Sequence, residues 1–220
     1  KWGQVFYQFF GQSECPMVIA NMRKGDHDLS KPERLSSCGR PTPWVHLALI
    51  GDDGKPAAEG EPGEICIRGP LIMKGYKDMP EQTAEAFEGG WLHTGDVGRL
   101  DEDGFLYIVD RTKDMIVTGG FNVFPREVED VLATHEAVGQ VVVVGVPDEQ
   151  WGESVKAVVV LKPGVEESDV LEAQLQALVK DKKGSVQAPK SVDFVAGIPL
   201  TPVGKPDKKA VKAQYWEGAA

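Results

Sequence analysis

The span from Trp91 to Glu129 constrains the fold of this 220-residue chain more than any other, because it holds a tight-turn sequence and a change of texture. Asp101-Glu102-Asp103-Gly104 has the residue types that hairpin turns need, and Phe105, Tyr107 and Val109 alternate beyond it, which predicts a β-hairpin. Two ligand-handling groups fall in the same span. Asp96 follows Thr94 and Gly95 in a turn where a bare carboxylate can accept from vicinal hydroxyls. Arg111 ends the second predicted strand with a planar donor fork suited to oxygen anions or ribose.

From Lys1 to about Val109 the chain reads as short strands separated by Gly, Pro and Asp turns. It opens at Lys1-Trp2-Gly3 already running into an apolar strand. Pro41 to Ile50 and the alternating Gly63 to Gly69 are the clearest strands, and Gly51-Asp52-Asp53-Gly54 and Glu59 to Gly63 are turn chemistry. This predicts a small β-barrel-like subdomain over residues 1–110. After Arg111 helix alternates with strand, the signature of an α+β unit over 111–220, and the boundary falls at Asp110 to Lys113. Pro125 is placed near the first turn of a helix with Val128, Val131 and Leu132 on one face. Val138 to Val146 reads as a buried strand that pairs with Ser154 to Leu161 across Pro147-Asp148-Glu149. Ser168 is a good N-cap for a helix over 169–182, with Val170, Leu171, Leu175, Leu178 and Val179 as its apolar stripe and Gly184 beyond its end.

Hydrophobic content of 41% supports ordinary cores, and a formal charge of −10 argues against general nucleic-acid binding, which draws on basic surface. Residues 181–220 hold seven Lys against four acids, which either steers a polyanion such as ATP or CoA or forms a solvated helix face. Cys15, Cys38 and Cys66 are widely spaced with no Cys-x-x-Cys pair, so neither a disulfide framework nor a zinc site is expected and a reducing cytoplasm fits. The longest apolar run, Val141 to Val146, is too short to cross a bilayer, which leaves peripheral association with a membrane as the membrane option. Other chemistries fail on sequence. Gly11 to Cys15 lacks the closing glycine of a nucleophile elbow, and Gly204-Lys205-Pro206 lacks the rest of a phosphate loop. His27, His46, His93 and His135 are scattered singly with no ligand spacing and read as surface or satisfied core histidines, and Asp101, Glu102 and Asp103 read as a solvated turn.

Five motifs occur in order: Phe9-Phe10-Gly11-Gln12-Ser13-Glu14, Thr94-Gly95-Asp96, VDRTKDMI from Val109, TGGFNVFPREVE from Thr118, and Leu200-Thr201-Pro202-Val203-Gly204-Lys205. Together they resemble the adenylate-forming superfamily of acyl-CoA synthetases, over essentially the whole chain but only the C-terminal part of such an enzyme. The resemblance implies a mobile C-terminal lid domain and an AMP-forming ligation of a carboxylic acid, such as a fatty acid, to CoA. It implies ATP, Mg2+ and CoA as the small molecules involved. It also implies a preceding nucleotide- and acyl-binding domain as partner, without which this stretch is inactive. By the same resemblance Lys205 is the catalytic lysine at the α-phosphate, Phe10 stacks on adenine beside Gly11, and Ser13 contacts phosphate. Glu14 lies on the magnesium side, Asp96 and Arg111 clamp the ribose, Gly119 and Gly120 line the pantetheine path, and Lys113 is the hinge. The family more often has Tyr and Thr where this chain has Phe10 and Ser13. Readings that share these motifs are an adenylation domain loading a carrier protein and a luciferase-like oxidising relative; a non-catalytic nucleotide-binding module is the rival of a different class.

Overall fold

The computed structural model describes residues 3–216, and the chain divides between Thr112 and Lys113 into two compact units. The opening Lys1-Trp2 lies outside the described residues. The strand expected there begins only at Gln8, and Val5, Phe6 and Tyr7 are exposed coil.

The first unit is built on β-strands, with one short α-helix and a few 3-10 turns. Strands β1 (Gln8–Gln12), β2 (Cys15–Met22) and β3 (Arg40–Pro41) form one antiparallel sheet. Strands β4 (His46–Ile50), β5 (Gly63–Arg68), β6 (Leu92–Leu100) and β7 (Leu106–Arg111) form a second, with helix α1 (Pro80–Ala86) between β5 and β6. Ile19, Ala20, Ile65, Ile67, Leu92 and Leu106 make the shared core. The sheets do not close into the expected barrel-like subdomain. β3 is two residues long and ends in Pro41, which has no N–H to extend a ladder. The backbone bonds Cys38 N–H to Leu106 O (2.7 Å) and Leu106 N–H to Gly39 O (2.8 Å) join the segment before β3 to β7 without a further strand.

The hairpin at Asp101 forms as its residues dictate, with Asp101 Oδ1 accepting from the N–H groups of Asp103 (3.0 Å) and Phe105 (2.8 Å). Its second strand is buried on both faces instead of alternating. Leu106 enters the core, while Phe105 on the other face lies under the guanidinium groups of Arg34 and Arg40, at 4.2 and 4.0 Å from the ring centroid. β5 departs from alternation for a similar reason: Ile65 and Ile67 face the core while Cys66 is buried against His93.

The second unit is α+β. β8 (Ile116–Thr118) and β9 (Phe121–Val123) form a hairpin, followed by α2 (Pro125–Leu132), β10 (Val138–Asp148), β11 (Gly152–Leu161), α3 (Asp169–Lys183), β12 (Ser191–Phe194) and α4 (Lys208–Trp216). β10 and β11 are antiparallel with Val143 opposite Ala157, and β12 runs parallel to β11. Val143, Val155, Ala157 and Val159 pack with residues of α2 and α3, whereas Val142, Val144, Val146 and Val158 pack with Val211 of α4. Burial on both faces is why this stretch reads as an unbroken valine run. The loop joining the two strands lies slightly later than expected, because Asp148 still pairs with Gly152 and Asp148 Oδ1 accepts from the Gln150 and Trp151 N–H groups at 3.0 and 2.9 Å. No helix among the described residues is long and apolar enough to cross a membrane.

In α3 the Ser168 hydroxyl accepts from Leu171 N–H at 3.2 Å, and Gly184 closes the last turn onto Lys180 O at 2.9 Å with φ of 89°. Leu171, Leu175 and Val179 are buried and Leu178 packs beside them, but Val170 is 67% exposed. Its position one residue before Leu171 turns it about 100° off the stripe. Leu175→Ala should therefore cost about 3 kcal/mol in urea unfolding, whereas Val170→Ala should stay within about 0.5 kcal/mol of the parent.

Candidate functional site

The first unit presents Asp96 on a bulge. Between the Glu64–Val97 and Cys66–His93 pairs, β5 has Ile65 alone and β6 has Thr94, Gly95 and Asp96. Gly95 takes φ of +69°, and its N–H donates to Glu64 Oε1 at 2.9 Å, which pins the bulge to the neighbouring strand. Asp96 then stands directly across from Arg111 on β7, and its Oδ1 lies 3.2 Å from Arg111 Nε. Its Oδ2 accepts from Gln12 Nε2 at 2.6 Å, and the same amide reaches Thr94 O at 2.9 Å. The Asp96 side chain is 9% exposed and that of Arg111 57%, so a nearly buried carboxylate is held beneath a guanidinium that reaches solvent. Gln12 is a partner that sequence reasoning missed; it stood in a motif as an unassigned position, and only the fold brings β1 to β6.

Ser13 and Glu14 form the tip of the β1–β2 hairpin, closed by the Gln12–Cys15 pair. Glu14 Oε1 accepts from the Tyr76 hydroxyl at 2.8 Å, and that bond to a carboxylate is the main cause that pushes the phenol's pKa up. Gly11 has a steric reason to be glycine, since a Cβ there would collide with the backbone nitrogen of Met17 and lie 2.7 Å from Cys15 O. Phe10 packs against the core cluster of Cys15 and Ile19, while Phe9 is 54% exposed. Phe10 is thus half-buried, and Phe9 is the more exposed ring on β1.

In the second unit, Gly119 and Gly120 are the two-residue loop of the β8–β9 hairpin, with φ of +57° and +82°. Two positive φ values are what the favoured hairpin turn requires. A Cβ on Gly119 would lie 2.6 Å from the Trp151 ring, whereas one on Gly120 would meet open space. Lys205 lies in a tight loop in which Thr201 N–H donates to Lys205 O (2.7 Å), Lys205 N–H to Thr201 Oγ1 (3.1 Å) and Gly204 N–H to Thr201 O (2.8 Å). Its side chain is exposed, and among the described residues its ammonium has no ion-pair partner. Just beyond it, Lys208 pairs with Glu129 at 2.9 Å and Lys212 with Glu153 at 2.7 Å, so part of the basic tail is neutralised within its own unit. Lys113, exposed in a short 3-10 turn, is the first residue of this unit.

His93 is a satisfied histidine, as the sequence reading allows, in a group that only the fold brings together. His93 is not isolated: its Nδ1 lies 2.7 Å from Glu64 Oε2 and 3.4 Å from Cys66 Sγ. Burial, and then the Glu64 charge, push the Cys66 thiol up to about 12. The three residues are separated in sequence but adjacent across β5 and β6, which no Cys or His spacing rule detects. None of the three cysteines is in a disulfide.

Two family models match the chain, that of the AMP-binding enzymes over residues 1–77 and that of the AMP-binding enzyme C-terminal domain over residues 127–205. The chain belongs to the AMP-binding, adenylate-forming enzymes. It is 59% identical over 223 aligned residues to the medium/long-chain-fatty-acid–CoA ligase FadD8 of Mycobacterium tuberculosis, covering 100% of this chain and 38% of that protein. Among solved structures it resembles the amide bond synthetase McbA of Marinactinospora thermotolerans, with TM-score 0.84 and 42% identity over 97% of this chain and 43% of that one. It also resembles o-succinylbenzoate CoA synthetase of Bacillus subtilis, solved with its acyl-adenylate, with TM-score 0.80 and 32% identity over 94% of this chain and 40% of that one. The chain thus spans well under half the length of these relatives.

The Gln12 contact makes a measurable claim. Gln12→Ala removes a donor from a nearly buried carboxylate and should destabilise the first unit by about 2 kcal/mol, read by urea unfolding.

Proposed function

We propose that this chain is the C-terminal part of an AMP-forming carboxylic-acid–CoA ligase acting on fatty or related acids. The observation that carries the reading is the Asp96–Arg111 pair, a carboxylate and a guanidinium set across adjacent strands at the rim of the first unit, in a chain 59% identical to a fatty-acid–CoA ligase. In the first half-reaction a carboxylate oxygen of the acid attacks the α-phosphorus of ATP, and the bond to the β-phosphate oxygen breaks to release pyrophosphate. In the second, the CoA thiol sulfur attacks the acyl carbon, the carbon–oxygen bond to AMP breaks, and the thiol proton leaves to solvent.

Each residue has one task in this reading. Asp96 accepts from the ribose hydroxyls, and Arg111 donates to their oxygens. Phe10 supports the adenine from the core side with Gly11 beside it, and Ser13 at the hairpin tip donates to phosphate. Lys205 sits on a loop braced by Thr201 and brings an ammonium to the α-phosphate, where positioned cations do most of the work of phosphoryl transfer. Glu14 suits Mg2+: it offers carboxylate oxygen, the donor that this hard cation prefers, and Mg2+ is commonly held by one or two carboxylates plus substrate phosphates. When bound, that ion neutralises phosphate charge. Lys113 is the hinge, Gly119 and Gly120 line the pantetheine path, and the units before and from Lys113 are the end of the large domain and the lid. The exposed Val5, Phe6, Phe9 and Met17 fit burial against the preceding nucleotide- and acyl-binding domain of a longer protein. Three cysteines with no disulfide among them fit a reducing cytoplasm.

In the full-length protein, Lys205→Ala should lower acid-dependent pyrophosphate release by the equivalent of about 3 kcal/mol. The same variant should keep thioester formation from supplied acyl-adenylate, and equal loss of both half-reactions would remove Lys205 from the α-phosphate. Gly120→Leu should do the reverse, retaining pyrophosphate exchange and losing CoA transfer. Because φ is +82° there, the thermal midpoint of that variant is measured alongside, and Gly120→Asn, which tolerates this backbone, is the control for strain.

A further inference from the structure

Glu64, Cys66 and His93 are not used by the ligase chemistry, yet strand geometry brings them to one point. Glu64 and Cys66 are two apart on β5 and so share a face, and His93 is the residue paired directly with Cys66 across the ladder. Their ligand atoms all lie within 4.8 Å of one another. Cys66 is buried, while Glu64 and His93 line the wall of a cleft of about 560 Å³ with Tyr76, Met79 and Gln82. We propose that Glu64 Oε2, Cys66 Sγ and His93 Nδ1 bind a divalent cation of the zinc class, with a further coordination position open to that cleft.

Glu64 Oε2, Cys66 Sγ and His93 Nδ1 each carry a lone pair that a cation can take once the imidazole Nδ1 and thiol protons are displaced. Without an ion, Nδ1–H can donate to Glu64 Oε2 at 2.7 Å, and the Cys66 thiol lies 3.4 Å from the same nitrogen. A cation satisfies all three. In a tetrahedral zinc site nitrogen and sulfur ligands stand about 3.6 Å apart, so the sulfur–nitrogen pair at 3.4 Å is already near its place and Glu64 Oε2 adjusts to it. On binding, the His93 proton moves from Nδ1 to Nε2, the Cys66 thiol proton goes to solvent, and bonds form from the metal to sulfur, nitrogen and oxygen. Glu64 Oε1 keeps the Gly95 N–H, which orients the carboxylate as outer partners orient metal ligands, and the ion then braces the bulge that presents Asp96.

The test titrates the 220-residue chain with Co2+, whose bond to a thiolate gives a charge-transfer band in the near ultraviolet. One Co2+ per chain with that band, displaced by Zn2+, is expected. The band should vanish in Cys66→Ser, persist in Cys15→Ser and Cys38→Ser, and need at least about tenfold more Co2+ in His93→Gln. Circular dichroism of each variant confirms that it is folded, and His93→Gln, which keeps the thiol, gives an independent reading should Cys66→Ser misfold. No band in the parent, a band that survives in folded Cys66→Ser, or unchanged affinity in folded His93→Gln overturns the site.

Discussion

The first unit depends on one nearly buried carboxylate. Asp96 lies on β6 in the four-stranded sheet, its Oδ1 is paired with Arg111 on β7, and its Oδ2 is bonded to Gln12 on β1 in the other sheet. A charge removed from water is tolerated only when donors replace the water, and these two donors come from two sheets that share no continuous ladder. The contact is therefore both a condition for placing Asp96 and a tie between the layers. It needs the bulge at Thr94-Gly95-Asp96, which in turn needs the left-handed Gly95 and the Glu64 carboxylate. A change at Glu64, far from Asp96 in sequence, acts on the same carboxylate through Gly95.

The second unit rests on a different constraint, which is that β10 and β11 bury both faces. A sheet apolar on both sides must be covered on both, and α2 and α3 supply one layer while α4 supplies the other. α4 follows the Lys205 loop directly, so its anchors also fix where that loop leaves the sheet. Trp216 Nε1 donates to Gly145 O at 3.1 Å and the Tyr215 hydroxyl to Asp193 Oδ2 at 2.7 Å. Burial and then the bond to Asp193 push the Tyr215 phenol up, which keeps it a donor at neutral pH.

What could be read from sequence was local. The Asp101 turn, the Ser168 cap, Pro125 at the first turn of α2 and the valine run announce themselves within a few residues, because caps, turns and periodicity act over that range. What could not be read was whatever the fold assembles from distant segments. The first unit's openness follows from a two-residue β3, which a strand pattern from Pro41 to Ile50 does not disclose. The burial of Phe105 depends on Arg34 and Arg40, which reach the ring from elsewhere. Phe10 faces the core because of its register on β1, and Gln12 and the Glu64, Cys66 and His93 group become visible only once β5, β6 and β1 are neighbours. The five motifs carried the family by their order; the contacts among them came from topology.

Asp96 and Arg111 admit two readings, a structural ion pair and the proposed ribose clamp, and the two are compatible. An ionised carboxylate has about four acceptor sites on its two oxygens. Gln12 Nε2 uses one on Oδ2, and Arg111 Nε lies 3.2 Å from Oδ1 as an ion pair, which leaves acceptor capacity for hydroxyl donors. Arg111 engages Asp96 through Nε, so its two terminal nitrogens remain able to donate to the same hydroxyl oxygens. In the proposed nucleotide complex the pair is thus kept and extended. The contacts that hold the hairpin also fix the carboxylate before any ligand arrives, and a group already held in place loses little freedom on binding.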